Sequence, residues 1–247
     1  MPTQVLPASH DAAHAAAYDA AAHGDAPRRR FVVMDVDSTL IDEEVIDMLG
    51  EEAGIGGQIA TITERAMNGE LDFHQALHER VRLLKGLPVT VFDRILEHTH
   101  FTNGALELVR RSHDLGWKVG VVSGGFHEIV DPLVERAGID YALANRLGAH
   151  DGVLDGTTVG EVIDKDGKLA TLRRWVAQEG LTMADAIAIG DGANDIPMLR
   201  AAGVGIAFCA KPHVQAEAPH ALDVRDLTRV FDIVAQADAD AADAARA

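Results

Sequence analysis

Four short apolar runs set the rhythm of the chain. Residues 31–36 (FVVMDV), 117–122 (WKVGVV), 186–190 (AIAIG) and 204–208 (VGIAF) are apolar almost throughout instead of alternating, as strands buried on both faces require. Between them apolar side chains recur at helical spacing. In 104–115, Leu106, Val109 and His113 fall on one face, with Asn103 as the predicted N-cap and Gly116 as the stop. Residues 126–137 and 168–179 are amphipathic in the same way. Strand–helix alternation at this spacing predicts right-handed crossovers, hence an α/β fold with a parallel, Rossmann-like sheet and helices on both of its faces.

One stretch breaks the alternation. From Glu43 to about Thr99 no strand pattern occurs, and Asp72 stands where it can cap a helix in which Phe73, Leu77, Val81 and Leu84 are spaced for packing. Roughly 55 helical residues exceed an ordinary connection, which predicts a small helical cap over the carboxyl edge of the sheet. Residues 142–163 carry Asp151-Gly152 and Asp155-Gly156 between apolar pairs, the pattern of a hairpin flap. Residues 1–30 and 236–247 are rich in Ala and Asp with little that can be buried, and both are expected as disordered tails. The predicted organisation is a tail over 1–30, a core over 31–42 and 100–235, a cap over 43–99 and a tail over 236–247.

Composition narrows the functional classes. Apolar residues make up 47% and charged residues 25%, which excludes wholesale disorder and a fibrous repeat. The single cysteine, Cys209, excludes an internal disulfide and suggests a reducing compartment. The formal charge of −17 disfavours nucleic acid and anionic membranes as partners. No apolar run reaches membrane-spanning length and the N-terminal residues lack a secretory pattern, so a cytoplasmic location is expected. The partner expected is a small molecule. Binding of an anionic one must come from a few local positive groups or a metal. Monomer and homodimer both stay open.

Four motifs stand at predicted strand ends or helix starts. Asp35-Val36-Asp37-Ser38-Thr39-Leu40 follows the first strand, and in open parallel sheets sites lie at carboxyl ends of strands. Two aspartates this close repel unless a cation or a shared proton compensates; simple capping by Asp35 and Ser38 would explain only part of the cluster. Gly190-Asp191-Gly192-Ala193-Asn194-Asp195 follows the strand at 186–190 and can complete an oxygen-ligand cage, although Asp-Gly alone reads as a turn. Ser123-Gly124-Gly125 offers a hydroxyl and backbone N–H groups as an anion cradle. Lys168, opening a helix, can reach a phosphate or simply face solvent.

In that order, with MNGELDFHQALHERVRLLKGLP, FTNGA, ANRL, GEV and AGVGIAFCAKP around them, these motifs resemble the haloacid dehalogenase-like hydrolases and, within them, the phosphoserine phosphatase family. The resemblance covers roughly residues 31–232. It implies a phosphatase acting on O-phosphoserine with Mg2+ as cofactor. Asp35 would be the nucleophile, and a carboxylate needs no base to attack phosphorus. Asp37 would be the general acid, with a raised pKa. Asp35, Asp37 (through its carbonyl) and Asp191 would hold the metal. Ser123, Gly124 and Lys168 would hold phosphoryl oxygens, and Asn194 would contact substrate. Asp195 would support Lys168 or the metal. Glu44 would face the substrate ammonium and Arg80 its carboxylate; outside the family, Glu44 reads as an acidic residue near a helix start and Arg80 as a surface charge. Met67 and Phe73 match apolar residues near the substrate, and helix packing explains them equally well.

Other constellations fall away. His74 and His78 have metal-ligand spacing, but Gln75 stands where a zinc protease needs its glutamate. Ser123 lacks the glycine of a hydrolase elbow, and Cys209 reads as a small buried hydrophobe. Three alternatives remain to a phosphatase for phosphoserine: transfer of the phosphoryl group to a second hydroxyl such as that of homoserine, hydrolysis of another small phosphomonoester, and a non-catalytic module that binds or senses phosphorylated amino acids.

Overall fold

The computed structural model describes residues 28–246. Most of the N-terminal stretch expected as a tail lies outside them. Strand β1 (Phe31–Met34) leads through a tight turn at Val36–Leu40 into four helices, α1 (Val45–Glu52), α2 (Gly56–Met67), α3 (Phe73–Leu83) and α4 (Val91–Glu97). The chain then alternates: α5 (Ala105–Asp114), β2 (Lys118–Phe126), α6 (His127–Ala137), β3 (Tyr141–His150), β4 (Val153–Val159), α7 (Lys165–Gln178), β5 (Ala186–Gly190), α8 (Ile196–Ala201), β6 (Val204–Phe208), α9 (Pro212–Gln215), β7 (His220–Leu222) and α10 (Val230–Arg246). The strands form one sheet in the order β4-β3-β2-β1-β5-β6-β7. Every neighbouring pair is parallel except β3 and β4.

Strand β1 shows why its sequence is uniformly apolar. Val32 and Met34 enter one core layer, with Leu108 and Val109 of α5; Phe31 and Val33 enter the other, with Leu172 and Trp175 of α7. Period-two alternation thus serves two buried faces. The first layer continues into α1, α3 and α4 through Leu49, Leu77, Val81 and Ile95, so these helices share the core of the sheet.

Backbone hydrogen bonds also tie the segment that carries the four helices to the rest. Asp42 N–H donates to His100 O (3.0 Å) and Thr102 N–H to Leu40 O (3.0 Å), pairing the two connections. Across the molecule, β4 hydrogen-bonds to the segment after α3: Gly86 N–H to Leu154 O (2.7 Å), Leu154 N–H to Leu87 O (2.9 Å) and Val89 N–H to Gly152 O (3.0 Å). The β3–β4 hairpin turns at Asp151-Gly152, both left-handed (φ 51° and 77°), whereas Asp155-Gly156 lies within β4.

Several expectations need correction. Residues 236–246, expected as a disordered tail, continue α10. Alanine is the strongest helix former, Val230, Phe231 and Val234 anchor the helix on the core, and Asp238 pairs with Arg28 and Arg30. Low complexity described the composition and missed the propensity. At the other end of the described residues, the exposed Arg28 and Arg29 pair with Asp185 and Glu179, while Arg30 is 1% exposed. Helix α5 starts after Gly104 (φ 80°), without a side-chain cap from Asn103. It buries Ala105, Leu108, Val109 and Ser112, while Leu106 is 48% exposed. Lys168 sits one turn inside α7, whose N-cap is Asp164.

Candidate active site

Asp35 directly follows β1 with extended backbone, its N–H donating to Ile189 O (3.0 Å). Asp35 Oδ1 accepts from Val36 N–H (2.7 Å), and Oδ2 pairs with Lys168 Nζ (2.7 Å). The chain then folds back on itself. Ser38 is left-handed (φ 55°), and Ile41 N–H closes the turn on Val36 O (3.0 Å). Such a conformation in a non-glycine residue is sparsely populated and is held by its surroundings. The turn brings Asp37 Oδ1 to Val45 N–H (3.2 Å) at the start of α1, and Ser38 Oγ donates to Glu44 Oε1 (2.6 Å).

The end of β2 supplies the second wall. Ser123 is fully buried and its Oγ accepts from Gly125 N–H (2.8 Å). Gly124 O accepts from Asn145 Nδ2 (2.8 Å), while Asn145 Oδ1 accepts from Ile163 N–H (2.8 Å). One buried amide therefore ties the glycine turn to the approach to α7. Asp164 caps α7 by accepting from Asp166 and Gly167 N–H (3.0 and 2.9 Å). The helix so started delivers Lys168, fully buried, between Asp35 and Asp195, with Nζ 2.7 Å from a carboxylate oxygen of each.

Beyond β5, Asp191 Oδ1 accepts from Thr39 Oγ1 (3.2 Å), and Asp195 Oδ2 accepts from Gly192 N–H (3.0 Å). Oxygens of Asp35, Asp191 and Asp195 lie within 4.8 Å of one another. Metal–oxygen distances of about 2.0–2.6 Å put ligands of one ion at most ~4–5 Å apart, and an all-oxygen donor set suits a hard divalent cation. Three carboxylates against one ammonium leave a charge of −2 when ionised, which such an ion would balance. The residues fit a divalent metal. Asp195, expected to support Lys168 or the metal, bonds to Lys168 and joins this trio, while the expected share of Asp37 was through its backbone carbonyl.

Burial dominates the titration of the site. Asp37 is pushed well above the carboxylate range by burial and then by the charges of Glu44 and Asp35. Burial, with Asp35 next, raises Asp191 to about 6 and Asp195 to about 7. For Lys168, burial alone would lower the pKa, but the charges of Asp195 and Asp35 outweigh it and hold the ammonium charged.

A cavity of about 1020 Å³ opens between sheet and helices. Asp35, Asp37, Glu44, Met67, Phe73, Arg80, Gly124, Asp191 and Asn194 all line it, from both sides. Ser123, Lys168 and Asp195 are buried behind that lining. Glu44 is raised, chiefly by burial. Arg80 is lowered, also by burial, and its Nε donates to Ala76 O (3.2 Å). Met67 is 66% exposed at the mouth, its Sδ 3.9 Å from Lys211 Nζ. Phe73 lies against Gly124, where an added methyl would stand 3.0 Å from Phe73 Cζ.

A profile of the haloacid dehalogenase-like hydrolases matches residues 32–200. The chain belongs to the haloacid dehalogenase-like hydrolases. Among the members of this hydrolase family it is 57% identical over 203 residues to phosphoserine phosphatase of Streptococcus thermophilus, covering 82% of this chain and 94% of that one. To phosphoserine phosphatase of Methanocaldococcus jannaschii it is 41% identical over 204 residues, covering 83% and 97%. A solved phospho-aspartyl intermediate analogue of phosphoserine phosphatase superimposes with a TM-score of 0.78 at 40% identity, covering 83% of this chain and 98% of that one. A substrate-bound phosphoserine phosphatase superimposes equally well, at 0.78 and 40%, covering 83% and 97%.

Sequence reasoning missed several residues of this hydrolase site. Ser38 and Thr39 lie inside the first motif, yet their partners, Glu44 and Asp191, appear only on folding. Asn145 sat unassigned within ANRL; an Asn alternating with the apolar Leu143 and Leu147 was the available signal. Cys209, expected as a buried hydrophobe, is half-buried, left-handed (φ 47°) and lines the cavity.

Proposed function

We propose that this chain is a magnesium-dependent phosphatase that hydrolyses O-phosphoserine to serine and phosphate through an aspartyl-phosphate on Asp35, in the cytoplasm. The observation that carries the reading is Asp35 itself: a carboxylate at a strand end, lining the cavity, with Lys168 on one oxygen and Asp191 and Asp195 beside it. The names of the similar phosphatases support the substrate.

Asp35 attacks phosphorus, and the bond from phosphorus to the seryl oxygen breaks. Asp37 gives that oxygen its proton, and the raised pKa of Asp37 favours the protonated form this needs. Water then attacks phosphorus of the aspartyl-phosphate, the bond to Asp35 breaks to return its carboxylate and release phosphate, and Asp37, now a carboxylate, takes the water proton. Lys168 has three donors, of which two engage Asp35 and Asp195; the third offsets charge on the phosphoryl oxygens together with the Gly124 turn and Ser123. Asp35, Asp191 and Asp195, with the carbonyl of Asp37, would hold magnesium, which when bound supplies positive charge beside the transferring group. The helices over 43–99 act as a cap, in which Glu44 receives the substrate ammonium and Arg80 its carboxylate, with Met67, Phe73 and Asn194 closing around them.

The test is phosphate release from phosphoserine with and without magnesium, in the wild type and in Asp35→Asn. Release should require magnesium and fall about 10³-fold or more in the variant, with the circular dichroism spectrum unchanged. Substantial turnover by the variant, or turnover indifferent to magnesium, overturns the assignment.

A further inference from the structure

The N-terminal ends of α3 and α7 both face the cavity. Asp72 caps the first and Asp164 the second, and both residues line the cavity. Each N-terminus carries partial positive charge, so the two ends repel unless something joins them. His74, in the first turn of α3, bridges the gap: its Nε2 lies 3.2 Å from Asp164 Oδ2, although the residues are 90 apart in sequence. His74 thus makes its side-chain polar contact with the N-cap of the other helix and not within its own. Its placement makes sense through the contact with Asp164.

The two oxygens of Asp164 divide the work. Oδ1 accepts from Asp166 and Gly167 N–H and starts the helix that delivers Lys168; Oδ2 faces His74. Next to His74, the Phe73 ring rests against Gly124. Phe73 and Arg80 are carried on the same helix, α3, as His74.

We propose that His74 and Asp164 are positioning residues that latch the helical segment over the phosphoryl pocket, setting how Phe73 and Arg80 meet a bound substrate. This rests on the function proposed above, but the latch itself can be tested without substrate. Cys209 is the only cysteine in the chain and lines the same cavity. Its rate of reaction with a thiol reagent measures how often the cavity opens.

The experiment uses the full chain with His74→Ala, Asp164→Asn and the double variant. Asn is as good an N-cap as Asp, so Asp164→Asn keeps α7 and removes only the charged partner of His74. Thiol labelling of Cys209 should quicken about two- to fivefold in each single variant, the range for a partly exposed ion pair. The double variant should be no faster than the singles. With phosphoserine, KM should rise by a similar factor while kcat stays within about twofold. Unchanged labelling, or effects that multiply in the double variant, overturns the latch. If the wild type does not turn over phosphoserine, the proposed function falls, and the labelling result still decides the latch.

Discussion

A methyl group at Gly125 would stand 2.8 Å from Asp37 Oδ2 and 3.0 Å from Ser123 Oγ. At Gly124 the nearest atom would be Phe73 Cζ, at 3.0 Å. The two glycines thus make room for different things: one for the proposed acid, the other for an aromatic ring on a helix. Their tolerance should differ accordingly. In Gly125→Ala the carboxyl of Asp37 or the backbone must shift, and displacement of a reacting group by about 1 Å costs on the order of 10²-fold in rate. We expect kcat for phosphoserine to fall by about that factor. In Gly124→Ala a ring can tilt by a few tenths of an ångström, and the change should be a severalfold rise in KM. Steady-state kinetics of the two variants check this; equal effects on kcat would refute the distinction. The sequence marked this turn as an anion cradle and could not show what approaches each glycine, because Asp37 and Phe73 come from elsewhere in the chain.

Asp140, just before β3, joins three elements through one carboxylate. Oδ1 accepts from Lys118 Nζ (2.5 Å), and Oδ2 accepts from Val119 N–H (2.9 Å) and faces His113 Nε2 (2.8 Å), so β2, β3 and the end of α5 share it. Burial alone would raise its pKa, but these hydrogen bonds prevail and the net shift is downward. A carboxyl depressed in the folded state adds stability above its unfolded pKa of about 4 and loses it as pH falls through the folded value. Asp140→Asn should therefore cost about 1–2 kcal/mol at pH 7, allowing for solvent around Lys118 and His113, and the deficit should shrink below about pH 4. Urea midpoints of variant and wild type between pH 7 and pH 3.5 measure it; a deficit constant with pH would mean that the charge plays no part. Elements themselves were legible where burial dictates sequence, as in β1, β5 and β6, and where a cap is local, as at Asp72. They were misread where the choice is made by distant packing. The face of α5 is set by what covers it, and α10 runs to Arg246 because alanine propensity and the pairing of Asp238 with the arginines prevail over low complexity.

Asp35, Ser123, Lys168 and Asp191 come from four separate stretches, and their convergence follows from topology. Parallel strands joined by crossovers bring their carboxyl ends to one edge, so motifs written after successive strands meet there. That much was legible in the order of the motifs. What the order of motifs does not carry is the geometry by which Asp195 joins them, through the turn at Gly192 and its bond to Lys168. The assembled cluster has an energetic consequence for the whole chain. Without a cation, Asp191 and Asp195 are held near pKa 6 and 7 by burial and by Asp35, so folding keeps like charges close at a cost. A divalent ion bound to the folded state alone offsets that cost. At a hundred times its dissociation constant it adds about 2.7 kcal/mol, and for a chain of this size each kcal/mol moves Tm by ~2–4 °C. Magnesium should therefore raise Tm by about 5–10 °C. In Asp191→Asn one of the three carboxylates is gone and like-charge repulsion is relieved, so the metal-free variant should melt no lower than the wild type, yet magnesium should barely move it. Calorimetry of both proteins with magnesium and with a chelator measures the difference, and an equal rise in the two would show that the ion binds somewhere other than beside Asp191.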